Sequence, residues 1–477
     1  MSRKSVNADP KIPQPIEPSV SRNKRVDLLT PVQRLLDQLT PALCEAVFKQ
    51  HRQTERERRW TFRAVCLFWT AMILRHPPSL EHGVDETRKG RGRDKLWPTV
   101  RATARAFFKK AAALRPHLFQ ALYEAFTARV LPRASATYAS WMKPLRDAFP
   151  DILIVDGSRL DAVCHQLKIL RKTRSKVLPG CVSVFYDLFR GISRKVLFYP
   201  DAAEAELPRA QDALGWIAKG SLLMGDRLYA SVQYFHLLAS LSIHGLFRRN
   251  GTLTVRRLQV FSRRQGSRSL LEDILVKVGS GQKHPKIPLR LIRYRHQGRR
   301  LDLLTSVLDP RQLSAEQAVA LYGLRWSIER MFLDVKETLD LHTLYASHPN
   351  LVAQQVYATA LVHTAFRIAQ ADIARKAKVL PEQLSPAKLF PKLAQAALDF
   401  ANNWLVLEKV KTMNPGVTLK LPSLHILPSA YAKIESLLVR RRAGTRRRRR
   451  FCASRRRWKS FAHIPGGPTL LKSISVG

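Results

Sequence analysis

Three observations on this 477-residue sequence predict an α/β core flanked by helices. Apolar residues recur at helical spacing from Asp27 to about Phe149, shift to strand-like runs at Asp151, and return to helical spacing from Ser314. The middle stretch opens with three strand-like runs, Ile152–Val155, Val182–Tyr186 and Lys195–Tyr199. A helix pattern over Leu207–Ala218, the short run Leu222–Met224, a second helix pattern over Val232–Leu241 and the run Gly245–Phe247 complete it. Three strands, a helix, a strand, a helix and a strand make a mixed sheet.

That order is the order of a ribonuclease-H-like core. Before it, residues 1–26 are polar and proline-bearing and read as a flexible leader. Residues 27–149 form a helical domain, with Leu28, Val32, Leu35, Leu36 and Leu39 marking one apolar face and Ala104, Phe107, Phe108, Ala111 and Leu114 another. Within it, Arg88–Lys95 is a basic, glycine-bearing loop, either a phosphate-backbone contact or a solvated surface turn. The catalytic domain is expected over 150–348, with a β-rich insertion at 250–307 where Leu253–Val255, Ile274–Val278, Leu289–Ile292 and Leu301–Leu304 alternate with turn signals. Ser314 and Gln317 fit a capping box that opens a long helix to about Leu341. Another helix runs from about Asn350 to Lys378 inside a helical C-terminal region, 349–439, and a basic tail follows at 440–477.

Lys and Arg number 82 against 36 Asp and Glu, a net charge of +46, while 45% of residues are hydrophobic. A folded body therefore carries the excess. The segment 440–460 holds twelve basic side chains and no acid, yet removing it still leaves +34 over the other 456 positions. Such a body repels itself and is compensated by a polyanion whose counterions are released on binding, which makes nucleic acid the first expected partner. The longest nearly continuous apolar run, Ala64–Leu74, is too short to span a bilayer, and the N-terminus lacks the apolar region of a secretory signal. Five cysteines without a C-x-x-C pair suggest reduced thiols and no zinc module. A soluble, cytoplasmic protein without membrane contact is expected. Neither an RNA-recognition signature, a phosphate-binding G-x-x-x-x-G-K-[ST] loop nor an H-E-x-x-H pair is present, which disfavours an RNA-binding factor, a nucleotide hydrolase and a zinc hydrolase.

Asp156 follows four apolar strand residues, and Asp226 follows Leu222–Gly225 in the same way. The C-terminal edge of such strands is where open α/β sheets bind ligands. Taken singly, each aspartate also fits a local role, Asp156-Gly157 as a turn and Asp226 as a helix N-cap. A third element joins them. With Tyr322 set at 0° and about 100° per residue, Arg325 lies at about −60°, Glu329 at about −20° and Lys336 at about −40°. The apolar seam of Leu321, Leu324, Ile328, Met331, Phe332, Val335 and Leu339 centres near −120°, with Trp326 and Leu333 outside it. Arg330, Asp334 and Glu337 fall between about 60° and 120°, and Asp334 and Glu337 are expected to face solvent. A surface salt bridge between Arg325 and Glu329 would account for that pair but not for Tyr322 and Lys336 on the same stripe.

The spacing Y-x2-R-x3-E-x6-K from Tyr322 to Lys336 resembles the signature of bacterial insertion-sequence transposases of the DDE type, in the insertion-sequence-four group. Val155-Asp156-Gly157-Ser158 and Gly225-Asp226-Arg227 resemble that group's two aspartate motifs. The resemblance covers roughly residues 150–345. It implies a DNA transposase that cleaves and joins strands at the ends of its own element, with Asp156, Asp226 and Glu329 as catalytic residues holding two Mg2+ (or Mn2+) ions. Tyr322, Arg325 and Lys336 would then contact DNA at the transposon end. Double-stranded DNA, both transposon ends and target, is the implied partner, bound by a homodimer in a synaptic complex in a bacterial, nucleoid-associated setting. Some relatives stack a flipped base on a tryptophan of the insertion; here Phe261 or Tyr294 would have to serve. A transposase-derived DNA-binding protein without catalysis is the alternative.

Overall fold

The computed structural model describes residues 25–31, 40–88, 98–134, 142–160, 180–201, 207–208, 211, 213–266, 269–280, 284–341, 343–413 and 430–439. The expected basic tail, nearly all of the expected leader and most of the Arg88–Lys95 loop lie outside these residues. The architecture is mixed α/β, with N-terminal helices and a central mixed sheet.

Strand β1 (Arg25–Asp27) pairs antiparallel with a C-terminal strand, Tyr431–Lys433, so the chain's first described residues are strand where leader and helix were expected. Val26 is buried there. Helices α1 (Pro41–His51), α2 (Phe62–Arg75), α3 (Leu80–Arg88), α4 (Ala104–Ala113), α5 (Pro116–Val130) and α6 (Lys143–Ala148) follow. Thr40, Thr61 and Thr103 cap three of them by accepting from backbone N–H groups three residues on.

Among the described residues, nine strands form the central sheet: β2 (Ile152–Arg159), β3 (Cys181–Asp187), β4 (Ile192–Tyr199), β5 (Leu222–Gly225), β6 (His244–Arg248), β7 (Val255–Gln265), β8 (Ser269–Val278), β9 (Ile287–His296) and β10 (Arg299–Thr305). Their spatial order is β4-β3-β2-β5-β6-β10-β9-β8-β7. β2, β3 and β4 run antiparallel, whereas β5 lies parallel to both β2 and β6, joined to β6 through α7 (Val232–Ser240). Parallel neighbours need such a crossover helix.

The β-rich insertion is part of this sheet. β10 pairs with β6, so the meander β7–β10 extends the core instead of standing apart from it. β7 is far longer than the expected Leu253–Val255 run, because arginines at 256, 257, 263 and 264 hide its period on an edge exposed over most of its length. The expected helix over Leu207–Ala218 is not continuous. Residues 213–219 are turns, tied by Ile217 N–H to the Leu214 carbonyl, and Gly220 closes them at φ +80°.

The expected long helix from Ser314 divides into α8 (Ala315–Leu324), α9 (Trp326–Leu333) and a π-helical turn over Asp334–Thr338. Its capping box forms as expected, with Gln317 N–H donating to Ser314 Oγ (3.2 Å) and Ser314 N–H to Gln317 Oε1 (2.9 Å). α10 (Pro349–Ala377) is almost wholly buried, and α11 (Pro386–Met413), β11 (Tyr431–Lys433) and α12 (Ile434–Leu437) complete the fold.

α10 packs on α2, α5 and β4. Trp69 Nε1 donates to Gln354 Oε1 at 2.9 Å, and Tyr123 OH to the Ser193 carbonyl at 2.5 Å, so the N-terminal helices and the sheet share one apolar core through this helix. Four charges lock the opposite end of the sheet from the candidate site. Arg190 Nη1 lies 2.7 Å from both Asp151 Oδ1 and Asp187 Oδ2, with Arg194 Nη1 at 3.3 and 3.1 Å from the same atoms. Among the described residues, no helix is long and apolar enough to cross a membrane.

Candidate active site

Asp156 sits inside β2, paired to Val184 of β3, so it is not a turn residue. On the other side of β2 the parallel register runs Ile152 to Leu222, Leu153 to Leu223 and Ile154 to Met224. That pairing ends at Ile154 and Met224, two residues before Asp156 and Asp226 in their chains. β5 stops at Gly225, and Asp156 therefore stands at the edge where the parallel pairing opens. Asp226 is not a helix N-cap either: Ser231 caps α7, while Asp226 Oδ1 accepts from Leu228 N–H at 2.7 Å. Both local readings of the aspartates are thereby set aside.

The third acid arrives on α9, which packs against β2. Arg325 marks the junction of α8 and α9, where Arg325 N–H bonds the Tyr322 carbonyl and Ile328 N–H the Arg325 carbonyl, a tightened three-residue spacing. Its Nη2 donates to Glu329 Oε1 at 2.7 Å, and its Nη1 is 3.7 Å from Asp156 Oδ2. A guanidinium only 11% exposed thus lies between carboxylates that are each 23% exposed. This is a buried arrangement, not the solvated pair that helix spacing alone allows.

Burial pulls the Arg325 guanidinium down, but Tyr322, Asp156 and Glu329 outweigh it and hold its pKa above the ordinary arginine value. The guanidinium also lies 5.0 Å from the Trp326 ring centre and 5.9 Å from that of Tyr322. Its Nε–H is buried and has no hydrogen-bond partner among the described residues. Burial raises the Tyr322 hydroxyl to about 12, with Arg325 and Arg248 lowering it and Asp226 raising it. At neutral pH this phenol stays protonated.

Lys336 lies within the π-helical turn, and its Nζ donates to Ser158 Oγ at 2.7 Å. Burial holds its pKa below the usual lysine value, partly offset by Glu337. The stripe drawn at a uniform 100° per residue therefore reaches one place by a non-uniform path, tightened at Arg325 and widened over Asp334–Thr338. Glu337 is exposed as expected, whereas Asp334 is only 14% exposed and lies 4.0 Å from His363 Nε2 of α10. The widened turn swings Asp334 under α10, which corrects the expectation that it faces solvent.

Sequence reasoning assigned no role to Ser158 or Arg248. Ser158 stands two residues after Asp156, on the same face of a strand, and that periodicity was available as a signal. Arg248, at the end of β6, has no comparable mark. Arg290 was also missed: fully buried in β9, it donates from Nε to Asp273 Oδ1 (3.0 Å) and from Nη1 to the carbonyls of Val307 (3.0 Å) and Leu313 (2.9 Å). It ties the insertion strands to the segment that enters α8.

Carboxylate oxygens are the donors that hard divalent cations take, and a cation, the Arg325 guanidinium, already lies between two of these acids. Among the described residues, however, no group of three or more His, Cys, Asp and Glu side chains is gathered closely enough to hold a metal ion as the chain stands.

Fold and site together define a mixed α/β domain that brings acids and basic residues to one sheet edge. Residues 147–365 match the family described as Transposase DDE domain. Among solved structures, the cryo-EM structure of the piggyBac transposase synaptic complex with hairpin DNA is similar to it at 11% identity and TM-score 0.38, covering 91% of this chain and 89% of that chain. No curated protein matches the sequence.

Proposed function

We propose that this protein is a DNA transposase of the insertion-sequence-four group that cleaves and joins strands at the ends of its element, with a ribonuclease-H-like catalytic core over 150–348. The observation that supports the reading best is Arg325, which pairs with both Asp156 of β2 and Glu329 of α9, with Tyr322 in the field of Asp226 and Lys336 donating to Ser158 nearby. The strand order β4-β3-β2-β5-β6 supports the core assignment, and the DDE domain match supports the chemistry.

In this reading the three carboxylates hold two Mg2+ or Mn2+ ions. Bound there, the ions would supply an activated attacking oxygen and stabilise the leaving oxygen. The chain's own residues do the rest. Arg325 offers a planar fork to a phosphate. Lys336, steadied by Ser158, adds a point charge, and the Tyr322 hydroxyl donates while remaining protonated. Helices within 27–149 and the tail 440–477 bind DNA by neutralising phosphates, and a homodimer brings two ends together.

Cleavage of a plasmid carrying the element's ends tests the reading. Asp156→Asn, Asp226→Asn and Glu329→Gln should each reduce Mg2+-dependent cleavage by at least about a hundredfold while leaving end binding nearly unchanged. Undiminished cleavage by any one variant removes that residue. A wild-type chain that binds ends but never cuts them would instead be the non-catalytic DNA-binding protein.

A further inference from the structure

The three acids do not form a metal-holding group as the chain stands, and a guanidinium lies between two of them. We propose that Arg325 acts as an internal counter-cation for Asp156 and Glu329, and that a divalent ion entering between these carboxylates must displace it. The inference rests on the proposed metal-dependent reading of this site and concerns how the site is loaded.

Three observations carry it. Arg325 contacts both acids with different terminal nitrogens, at 2.7 Å to Glu329 and 3.7 Å to Asp156, so its charge lies where a bridging cation would neutralise both. It is also held incompletely, because its buried Nε–H has no acceptor among the described residues, and a buried unsatisfied donor weakens the arrangement that strands it. Finally, Arg325 sits at the joint between α8 and α9, where the hydrogen-bond ladder is already irregular. A side chain at such a joint can be redirected without unwinding a regular turn. Released from the carboxylates, the fork can take a phosphate, so metal entry and DNA contact become linked steps.

The guanidinium rests 5.0 Å from the Trp326 ring centre, and this contact supplies a signal that does not depend on catalysis. The full-length protein would be titrated with Mg2+ alone, by calorimetry and by tryptophan emission, with Trp326→Phe subtracted to isolate that residue among the eight tryptophans. Displacement predicts a Trp326 emission change whose midpoint matches the calorimetric one. It also predicts that Arg325→Ala binds Mg2+ about tenfold more tightly or better and loses the emission change. Arg325→Lys keeps the charge but not the fork. Affinity near that of the wild type supports the counter-cation, whereas affinity as high as that of Arg325→Ala, in a variant that keeps the charge, overturns it. Unchanged or weaker Mg2+ binding by Arg325→Ala, with native thermal melts for both variants, also overturns it. Mg2+ binding that survives Asp156→Asn intact would remove the carboxylate site itself, and the displacement with it, a result distinguishable from the others.

Discussion

Replacing Arg290 by Met tests how firmly the insertion holds the helix that carries the candidate site. Arg290 is 0% exposed and its partner Asp273 2%. Met fills much of the side-chain volume but leaves the Asp273 carboxylate buried without its cation and releases the carbonyls of Val307 and Leu313. Breaking a buried pair from one side costs about 3–5 kcal/mol, mostly because the abandoned charge stays desolvated. At about 2 °C per kcal/mol, the low end for a large cooperative unit, the melting midpoint should fall by roughly 6–10 °C. The double change Arg290→Met with Asp273→Leu removes the stranded charge, and it should regain most of that loss, since apolar replacement of a buried pair is often neutral or better. Calorimetric melts of the wild type, both single variants and the double variant form the cycle. A double variant as unstable as the sum of its singles would refute the argument that the stranded charge dominates.

Two further predictions follow from the geometry. A Cβ at Gly225 would lie 2.7 Å from Cδ2 of the buried Tyr229 ring, so Gly225→Ala should destabilise the protein by about 1–3 kcal/mol and shift Asp226, lowering cleavage; a variant with native melting and native cleavage would contradict this close approach. Burial holds the His363 imidazole below its ordinary value against the raising effect of Asp334. The unfolded chain therefore takes up this proton first as pH falls through about 6.5, and stability, full above that pH, is lost toward acid. His363→Gln should flatten the acid limb of a melting-versus-pH curve, and an unchanged limb would show that the group does not contribute.

Much of the fold was legible because burial imposes simple periods. Ile152–Val155, Leu222–Met224 and the capped start at Ser314 announce themselves through continuous apolar runs and a capping box, and the structure has elements at each. What was hidden has physical reasons. β7 alternates poorly because it lies on an exposed, arginine-rich edge with two bulges, where no core face enforces the period of two. β1 is three residues long and meaningful only against β11, some four hundred positions away. The pairing of β10 with β6, which fuses insertion and core, depends on tertiary register that a local pattern does not contain.

The local geometry around the candidate residues was only partly legible. Helical arithmetic selects Tyr322, Arg325, Glu329 and Lys336, yet assumes a uniform helix. The tightening at Arg325 and the π-helical turn are set by packing on β2 and under α10, and they decide that Arg325 points between two acids, that Lys336 meets Ser158 and that Asp334 turns inward. The bland reading of Arg325 and Glu329 as a surface pair had the right partners and the wrong environment.

Anomalous diffraction from Mn2+-loaded crystals of the protein bound to its DNA ends would test the central claim most directly. Manganese peaks touched by carboxylate oxygens of Asp156, Asp226 and Glu329 are expected at about 2.0–2.2 Å, the range of hard divalent cations of this size. Manganese bound elsewhere, or held with one of the three carboxylates turned away from it, would contradict the account.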